Sequence, residues 1–265
     1  MKVLVANRGE IALRIMRTCR ELGFPSVAVY SDADKDSVPV RYADESVYLG
    51  PTAAAESYLK IPAVIEAARK SGADAIHPGY GFLAENEDFA RAVEEAGILF
   101  IGPRSETIAL TGDKLAARRA AREAGLPVLP GKDVPVDEIV TGNLTDGVTF
   151  PVLIKAVSGG GGRGIRLART AEELTQMMSI AQQEAQAAFG DNTVYLEPLV
   201  QNARHIEVQI LGDGNGQILY LGERECSSQR RRQKLIEEAP APGLSLALRH
   251  HLYDAALTLA SLEFL

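Results

Sequence analysis

The chain has 265 residues, of which 46% are hydrophobic and 24% charged, so we expect two or three packed lobes. Its formal net charge of −7 argues against a nucleic-acid partner. Its two cysteines, Cys19 and Cys226, lack a paired spacing, which argues against a disulfide framework or a thiolate zinc site. No apolar stretch approaches the roughly 20 residues of a membrane span and no export signal precedes the first apolar run, so we expect a cytoplasmic protein without a membrane partner.

Alternating strand and helix patterns fill the first hundred residues. An apolar run over residues 2–6 predicts a strand, and the helical spacing that follows it ends at Gly23. The alternation then continues with predicted strands over 27–30, 74–77 and 98–101 and predicted helices over 56–70 and 87–96. Units of this kind predict an α/β fold with a parallel sheet covered by helices.

The pattern changes after residue 103. Residues 114–124 predict a strong helix, and the glycines and prolines of 130–150 predict a surface segment. A further unit follows, with strands over 151–156, 165–168 and 193–196 and a helix over 171–188. The last region predicts a hairpin, a charged loop and a helix, over 205–221, 223–234 and 245–260.

The sharpest local signal is the run of four glycines at 159–162, which is flanked by Lys155 and Arg163 and lies between two predicted strands. Without Cβ atoms, the backbone N–H groups of such a run can surround phosphate oxygens, and the two cations add positive charge. The run differs from a Walker loop, which ends in Lys-Ser or Lys-Thr ahead of a helix. The structural alternative is a flexible linker, but the basic, strand-like flanks favour a phosphate-binding flap.

Motifs along essentially the whole chain resemble the biotin carboxylase family. The matching segments, in the family's order, are residues 5–12, 77–86, 100–103, 112–114, 155–164, 223–227, 229–231, 233–234 and 237–242. The resemblance implies an ATP-grasp architecture with a Rossmann-like N-terminal parallel-sheet domain, a small glycine-rich lid domain and the start of a third mixed α/β domain. The implied boundaries are 1–112 for the first domain, 113–127 for a helical connection, 128–200 for the lid and 201–265 for the third domain.

The family resemblance also implies an activity and partners. The reaction is ATP-dependent carboxylation of carrier-linked biotin by bicarbonate through carboxyphosphate, with Mg²⁺ or Mn²⁺ as the metal. The implied partners are a biotin carboxyl carrier protein or domain, a carboxyltransferase subunit of an acetyl-CoA or propionyl-CoA type carboxylase, and a second copy of the chain in a homodimer.

The resemblance assigns roles around the nucleotide. Lys114 and Lys155 would contact ATP phosphates, and Gly161 and Gly162 would lie in the lid above them. Cations and backbone donors are the groups that stabilise charge on a transferring phosphoryl group, so these assignments make physical sense.

A hinge after the third strand of the lid would hold the adenine by backbone groups, and it is formed by Glu197, Pro198, Leu199 and Val200. The family commonly has lysine where this chain has Pro198. We expect the contact there to be a carbonyl, which proline keeps. His205 alone is more often structural, but its register matches the family's nucleotide-contacting histidine.

The charged block at 223–234 is ordinarily a solvated surface, and Arg230 and Arg231 are interpreted that way. By resemblance, however, Lys234 lies beside bicarbonate, and Arg232 stands where the family commonly has a histidine near the nucleotide. Cys226 is interpreted as a small buried residue. His77 is interpreted as a structural residue in its loop.

Glu263 is the predicted metal ligand, because residues 261–265 resemble the family strand whose glutamate binds magnesium. The family's second metal-binding glutamate and catalytic arginine follow on the next strand, so the 265-residue chain alone is expected to be inactive. Two alternatives stay open: a non-catalytic nucleotide-binding module, and an ATP-grasp ligase with an amine acceptor, as in carbamoyl phosphate synthetases. The long N-terminal motifs argue against the second.

Overall fold

The computed structural model describes residues 1–129, 148–157, 165–230 and 233–263, apart from the side chains of residues 188, 189, 262 and 263. The chain forms two compact units, Met1–Ala109 and Leu110–Leu265. The finer division at residues 112, 127 and 200 stays a prediction. Among the described helices, none combines the length and the apolar character that crossing a membrane requires.

The first unit contains a five-stranded parallel sheet of spatial order β3-β2-β1-β4-β5. Its strands are β1 (Val3–Val5), β2 (Ser26–Ser31), β3 (Glu45–Gly50), β4 (Ala75–His77) and β5 (Leu99–Phe100). Its helices are α1 (Gly9–Glu21), α2 (Val38–Tyr42), α3 (Ile61–Ser71) and α4 (Glu87–Glu95), and the next helix, α5 (Ser105–Gly112), crosses the boundary at Ala109.

Both faces of this sheet are buried. Leu4 packs in the core that includes residues of α3 and α4, whereas Val3 and Val5 pack in the core that includes residues of α1. Successive side chains of a strand point to opposite faces, so a central strand buried on both sides is apolar throughout. The predicted parallel sheet covered by helices is therefore confirmed.

The sequence patterns missed β3, α2 and α5, and they placed the start of α3 too early. β3 is an edge strand whose first four residues are exposed or half-buried, so it has no apolar run to reveal it. Helix α3 begins at Ile61, with Pro62 in its first turn. Proline is tolerated there because the N–H that it lacks has no partner within the helix in any case.

The second unit begins with α6 (Lys114–Glu123) and then forms an antiparallel sheet of order β7-β6-β8. Its strands are β6 (Val152–Ala156), β7 (Ile165–Ala168) and β8 (Val194–Pro198), and α7 (Ala171–Phe189) packs against one face. The core of this layer contains Val152, Ile154, Leu174, Met178 and Leu196. The helices and strands predicted for this region are confirmed.

A second antiparallel sheet follows, of order β11-β10-β9, with β9 (Ile206–Gly212), β10 (Ile218–Arg230) and β11 (Gln233–Glu238). The predicted hairpin between β9 and β10 is confirmed. Gly214 and Gly216 have φ values of +72° and +100° in its turn, a conformation that costs glycine little.

Two expectations for the end of the chain were wrong. The predicted charged loop is mostly strand, because its cations and carboxylates pair across neighbouring strands, as Arg224 does with Glu207. The strand expected from Ser261 is instead the last turn of α8 (Leu246–Glu263). Neither glycine nor proline interrupts that segment, so the helix continues.

A buried carboxylate in β10 ties α8 to the second sheet. Arg249 donates from Nε to Glu223 Oε1 at 2.8 Å, Tyr253 donates its hydroxyl to Oε2, and the backbone N–H of Ala241 donates at 3.2 Å. These contacts, with that of Tyr253 the largest, lower the pKa of Glu223. The carboxylate is therefore charged and depends on these donors.

We predict that Arg249→Leu lowers the free energy of unfolding of the second unit by about 3 kcal/mol, because it leaves a buried carboxylate without its cation. Urea unfolding of the variant measures the effect. His251→Ala, an exposed change on the same helix, is the control and should stay within about 0.5 kcal/mol of the unsubstituted chain. Equal losses in both variants would contradict this role for Arg249.

Candidate functional site

Helix α6 begins at a cap that fixes which of its side chains face the first sheet of the second unit. The Asp113 carboxylate accepts hydrogen bonds from the backbone N–H groups of Leu115 at 2.9 Å and Ala116 at 3.1 Å. The helix therefore starts at Lys114. Arg118 follows four residues later and lies on the same face of the helix.

Lys114 reaches the end of β6. Its Nζ donates to the carbonyl of Val157 at 3.2 Å, and the neighbouring Leu115 packs with Val157 and Tyr195 in a small buried cluster. This cluster holds the start of α6 against the point where β6 leads into the glycine run.

Lys155 lies two residues earlier on β6 and forms the centre of a largely buried ion cluster. It stands opposite Tyr195 in the register of β6 and β8, which makes Glu197 its diagonal neighbour on the same face. Lys155 Nζ lies 2.5 Å from Glu197 Oε1, and Arg118 Nη1 lies 3.3 Å from Glu197 Oε2. The three side chains are only 20%, 10% and 13% exposed, in the order Lys155, Glu197 and Arg118, so solvent screens the cluster weakly.

The backbone of β8 is open on the side away from β6 in the described part of the sheet. Thr193 and Leu199 turn their backbone groups toward β6, since the Thr193 carbonyl accepts from Val157 and the Leu199 N–H donates to Pro151. By alternation, the Pro198 carbonyl faces the open edge. The N–H that proline lacks costs no ladder bond there.

The other hinge residues differ in which of their polar groups are already used within the protein. The Glu197 side chain is occupied by the ion cluster, and the Leu199 N–H is used within the sheet. Val200 follows the end of β8 and is 46% exposed. The backbone acceptor that these residues leave available at this edge is therefore the Pro198 carbonyl.

A second ion cluster lies on the sheet formed by β9, β10 and β11. Glu207 accepts from Lys234 Nζ at 2.7 Å through one oxygen and from Arg224 Nε at 2.9 Å through the other. Burial alone raises the pKa of Glu207, but the hydrogen bonds from Lys234 and Arg224 outweigh it and lower that pKa to about 2. The bond to Glu207 likewise raises the pKa of Lys234, so Lys234 is held as an ammonium.

His205 joins this cluster just ahead of β9. Its Nε2 lies 3.9 Å from Glu207 Oε2, and its Nδ1 lies 2.9 Å from the Gln229 side-chain amide. The structure thus brings His205 and Lys234 together around one carboxylate. Sequence reasoning missed Glu207 and Gln229, although the spacing of His205 and Glu207 by two residues already indicates a shared face of a strand.

Cys226 and His77 make contacts that suit structural roles. Burial raises the pKa of the Cys226 thiol, which favours its neutral form. Its sulfur lies close to the carboxylates of Glu207 and Glu237, and Glu207 is already paired with the Lys234 ammonium. His77 Nδ1 accepts the Gly79 N–H at 3.0 Å and holds its own loop.

Four predicted site residues lie outside the described residues or have undescribed side chains, namely Gly161, Gly162, Arg232 and Glu263. Their roles stay predictions. For Glu263, the described backbone places it at the end of α8 and not on the expected strand.

Two known families match successive parts of the chain. Residues 1–108 match the family described as biotin carboxylase, N-terminal domain, and residues 113–262 match the carbamoyl-phosphate synthase L chain, ATP binding domain.

Individual relatives are named as biotin carboxylases or carboxylase subunits. The biotin carboxylase of Pseudomonas aeruginosa is 53% identical over 254 residues, which cover 95% of this chain and 57% of that protein. A pyruvate carboxylase subunit of Methanothermobacter thermautotrophicus is 49% identical over 260 residues, which cover 98% of this chain and 53% of that protein. The chain therefore spans little more than half the length of these relatives.

Solved structures agree with these matches. The biotin carboxylase domain dimer of Hydrogenobacter thermophilus 2-oxoglutarate carboxylase, in complex with MgADP, ADP and bicarbonate, matches with a TM-score of 0.93 at 45% identity, over 98% of this chain and 57% of that one. A biotin carboxylase complex with a β,γ-ATP ligand from Campylobacter jejuni matches with a TM-score of 0.94 at 46% identity, over 98% and 58%.

We predict that the contribution of Glu207 to the free energy of unfolding is lost at acid pH. Its pKa falls from the ordinary 4.5 to about 2, so its stabilising contribution is complete above 4.5 and is lost as the pH falls toward 2. Glu207→Gln should therefore be less stable than the unsubstituted chain at pH 7, and this difference should shrink as the pH falls through that window. Urea unfolding at a series of pH values measures it.

Glu238→Gln provides the control, because Glu238 is an exposed carboxylate on the same sheet. A difference between Glu207→Gln and the unsubstituted chain that stays constant from neutral to acid pH would contradict the assignment.

Proposed function

The chain belongs to the biotin carboxylase family, and from that premise we propose that it supplies the ATP-binding part of an enzyme that carboxylates carrier-linked biotin with bicarbonate. The observation that carries the proposal is that two lysines lie near the end of β6, directly before the glycine run: Lys155 is part of β6, and Lys114 Nζ contacts the carbonyl of Val157. The ligands of the Hydrogenobacter relative, MgADP, ADP and bicarbonate, support it.

The nucleotide binds through cations and backbone groups. Lys114 and Lys155 hold the phosphates, and Gly161 and Gly162 belong to the flap that covers them. The adenine lies against the open edge of β8, where it donates to the Pro198 carbonyl, and His205 contacts the nucleotide. Positioned cations and N–H donors lower the barrier to phosphoryl transfer by stabilising charge on the moving group.

Bicarbonate is held by the Lys234 ammonium, which reduces the repulsion between two anions. Glu207 keeps this ammonium charged and fixes its direction. An oxygen of bicarbonate forms a bond to the γ-phosphorus while the bond from that phosphorus to the bridging oxygen breaks, which gives carboxyphosphate and ADP. The carboxyl group then passes to N1 of biotin, and the N1 proton leaves with inorganic phosphate.

Magnesium bound with the nucleotide would offset the negative charge of the phosphates during phosphoryl transfer. Within this chain, Glu263 stays the predicted ligand. A carboxylate oxygen suits magnesium, which takes one or two carboxylates together with phosphate oxygens and waters. Arg232 stays a predicted neighbour of the nucleotide.

The assembly around the chain is proposed by analogy with its relatives. We propose a cytoplasmic homodimer that works with a biotin carboxyl carrier protein or domain and a carboxyltransferase subunit in an acetyl-CoA or propionyl-CoA type carboxylase. The dimer of the Hydrogenobacter domain and the Methanothermobacter relative, itself one subunit of a carboxylase, support a multi-component enzyme.

A second candidate is an ATP-grasp ligase with an amine acceptor, which the description of the family matched by residues 113–262 favours. The match of residues 1–108 favours biotin. ADP formation from ATP and bicarbonate that depends on biotin, and that an amine does not replace, would exclude this candidate. Carboxybiotin formation by the 265-residue chain would exclude a purely nucleotide-binding module.

We predict that Lys155→Gln weakens MgADP binding by about tenfold or more, because a charge-assisted hydrogen bond to phosphate is lost. Adenosine, which has no phosphate, should bind both forms equally. Isothermal calorimetry measures both ligands. Arg169→Gln, an exposed change next to the end of β7, is the control.

Absence of adenine nucleotide binding by the unsubstituted chain, with and without magnesium, would refute the proposed function. Unchanged MgADP affinity in Lys155→Gln would refute the role of that residue alone.

We predict that Lys234→Gln raises the KM for bicarbonate by about tenfold or more, since the ammonium that holds the anion is gone. The KM for ATP should change less than about threefold. Carboxybiotin formation by the complete enzyme measures both constants. A parallel rise of the two KM values would show that Lys234 acts on the whole site and not on bicarbonate.

A further inference from the structure

Glu197 shares its carboxylate between two cations, and the two bonds use different oxygens. Lys155 contacts Oε1 and Arg118 contacts Oε2. The glutamate residue is only 8% exposed, so water can do little to replace a lost partner. The state of this carboxylate therefore affects what Lys155 is able to do.

A nucleotide phosphate must compete with Glu197 for Lys155. If Lys155 were the sole cation on Glu197, moving it to a phosphate would leave a buried carboxylate without a counter-charge, which is strongly unfavourable. With Arg118 on the second oxygen, one cation stays on the carboxylate after Lys155 has moved. The free-energy cost of moving Lys155 from Glu197 to a phosphate is therefore lower.

Arg118 is anchored so that it stays with Glu197. Its Nη2 donates to the carbonyl of Leu129 at 2.6 Å, and its guanidinium lies 5.9 Å from the centre of the Tyr195 ring. A planar guanidinium with several donors can keep these contacts together, whereas a lysine on a flexible stem can change partners. The two cations are therefore suited to different tasks.

We propose that Arg118 is a positioning residue of the phosphate site: it retains the Glu197 carboxylate so that Lys155 can move from Glu197 to a nucleotide phosphate. This rests on the proposed nucleotide binding. In this role Arg118 acts through Glu197 and Lys155 and not by binding the substrate.

Calorimetry of the 265-residue chain with MgADP and with adenosine tests the proposal. Arg118→Gln should weaken MgADP binding by about tenfold and change adenosine binding by less than about twofold. Arg118→Lys, which keeps a cation at Glu197, should restore the affinity to within about threefold. Arg119→Gln, an exposed change at the next position of α6, should have no effect.

A double-substitution cycle with Glu197→Gln separates positioning from direct contact. Without the carboxylate, Lys155 has no ion pair to break before it binds a phosphate. Arg118→Gln should therefore weaken MgADP binding by less than about threefold in the Glu197→Gln background. If Arg118→Gln does not fold, the MgADP affinity of Glu197→Gln alone still decides the matter. Glu197→Gln should bind MgADP at least as tightly as the unsubstituted chain.

Several results would overturn the proposal. These are an unchanged MgADP affinity in Arg118→Gln, the same loss in both backgrounds, a parallel loss of adenosine binding, and weakened MgADP binding by Glu197→Gln. If the unsubstituted chain binds no adenine nucleotide, the proposed function fails first and this inference fails with it.

Discussion

The second unit depends on buried and half-buried carboxylates that hold cations close together. A site for a polyphosphate needs several positive charges within a few ångströms, and without an anion those charges repel one another. Glu197 offsets this repulsion between Lys155 and Arg118, and Glu207 does the same for Lys234 and Arg224. Each carboxylate orders its two cations in a position that is partly shielded from water.

The secondary structure explains why these charges meet. The Asp113 cap sets the start of α6, and the start of the helix sets which side chains reach the sheet. Antiparallel pairing of β6 with β8 makes Lys155 and Glu197 diagonal neighbours, and pairing of β9 with β10 places Arg224 opposite Glu207. In both sheets, the functional contacts follow from register, so a slip of one residue would move a charged side chain to the opposite face.

Much of the fold could be predicted from the sequence, because its cores are regular. The apolar strands β1, β2 and β4 and the amphipathic helices α1 and α4 have periodic patterns that tertiary packing reinforces. β3 could not be recognised, since an edge strand buries few side chains. The charged hairpin of β10 and β11 was mistaken for a loop, because the pairing partners that stabilise its charges lie on another strand.

The site was predictable in part. The family motifs predicted Lys114, Lys155, His205 and Lys234 as site residues. The structure brings the first two to one end of β6 and the last two to one carboxylate. The residues that orient them escaped prediction. Arg118 is one of several cations on α6, and only the three-dimensional contact with Glu197 distinguishes it from Arg119.

A crystal structure of the chain with MgADP would test the central claim most directly, because it shows which cation each carboxylate keeps. We expect Lys155 Nζ within hydrogen-bond distance of a phosphate oxygen while Arg118 still contacts Glu197. Phosphates bound away from β6, with Lys155 still on Glu197, would contradict it.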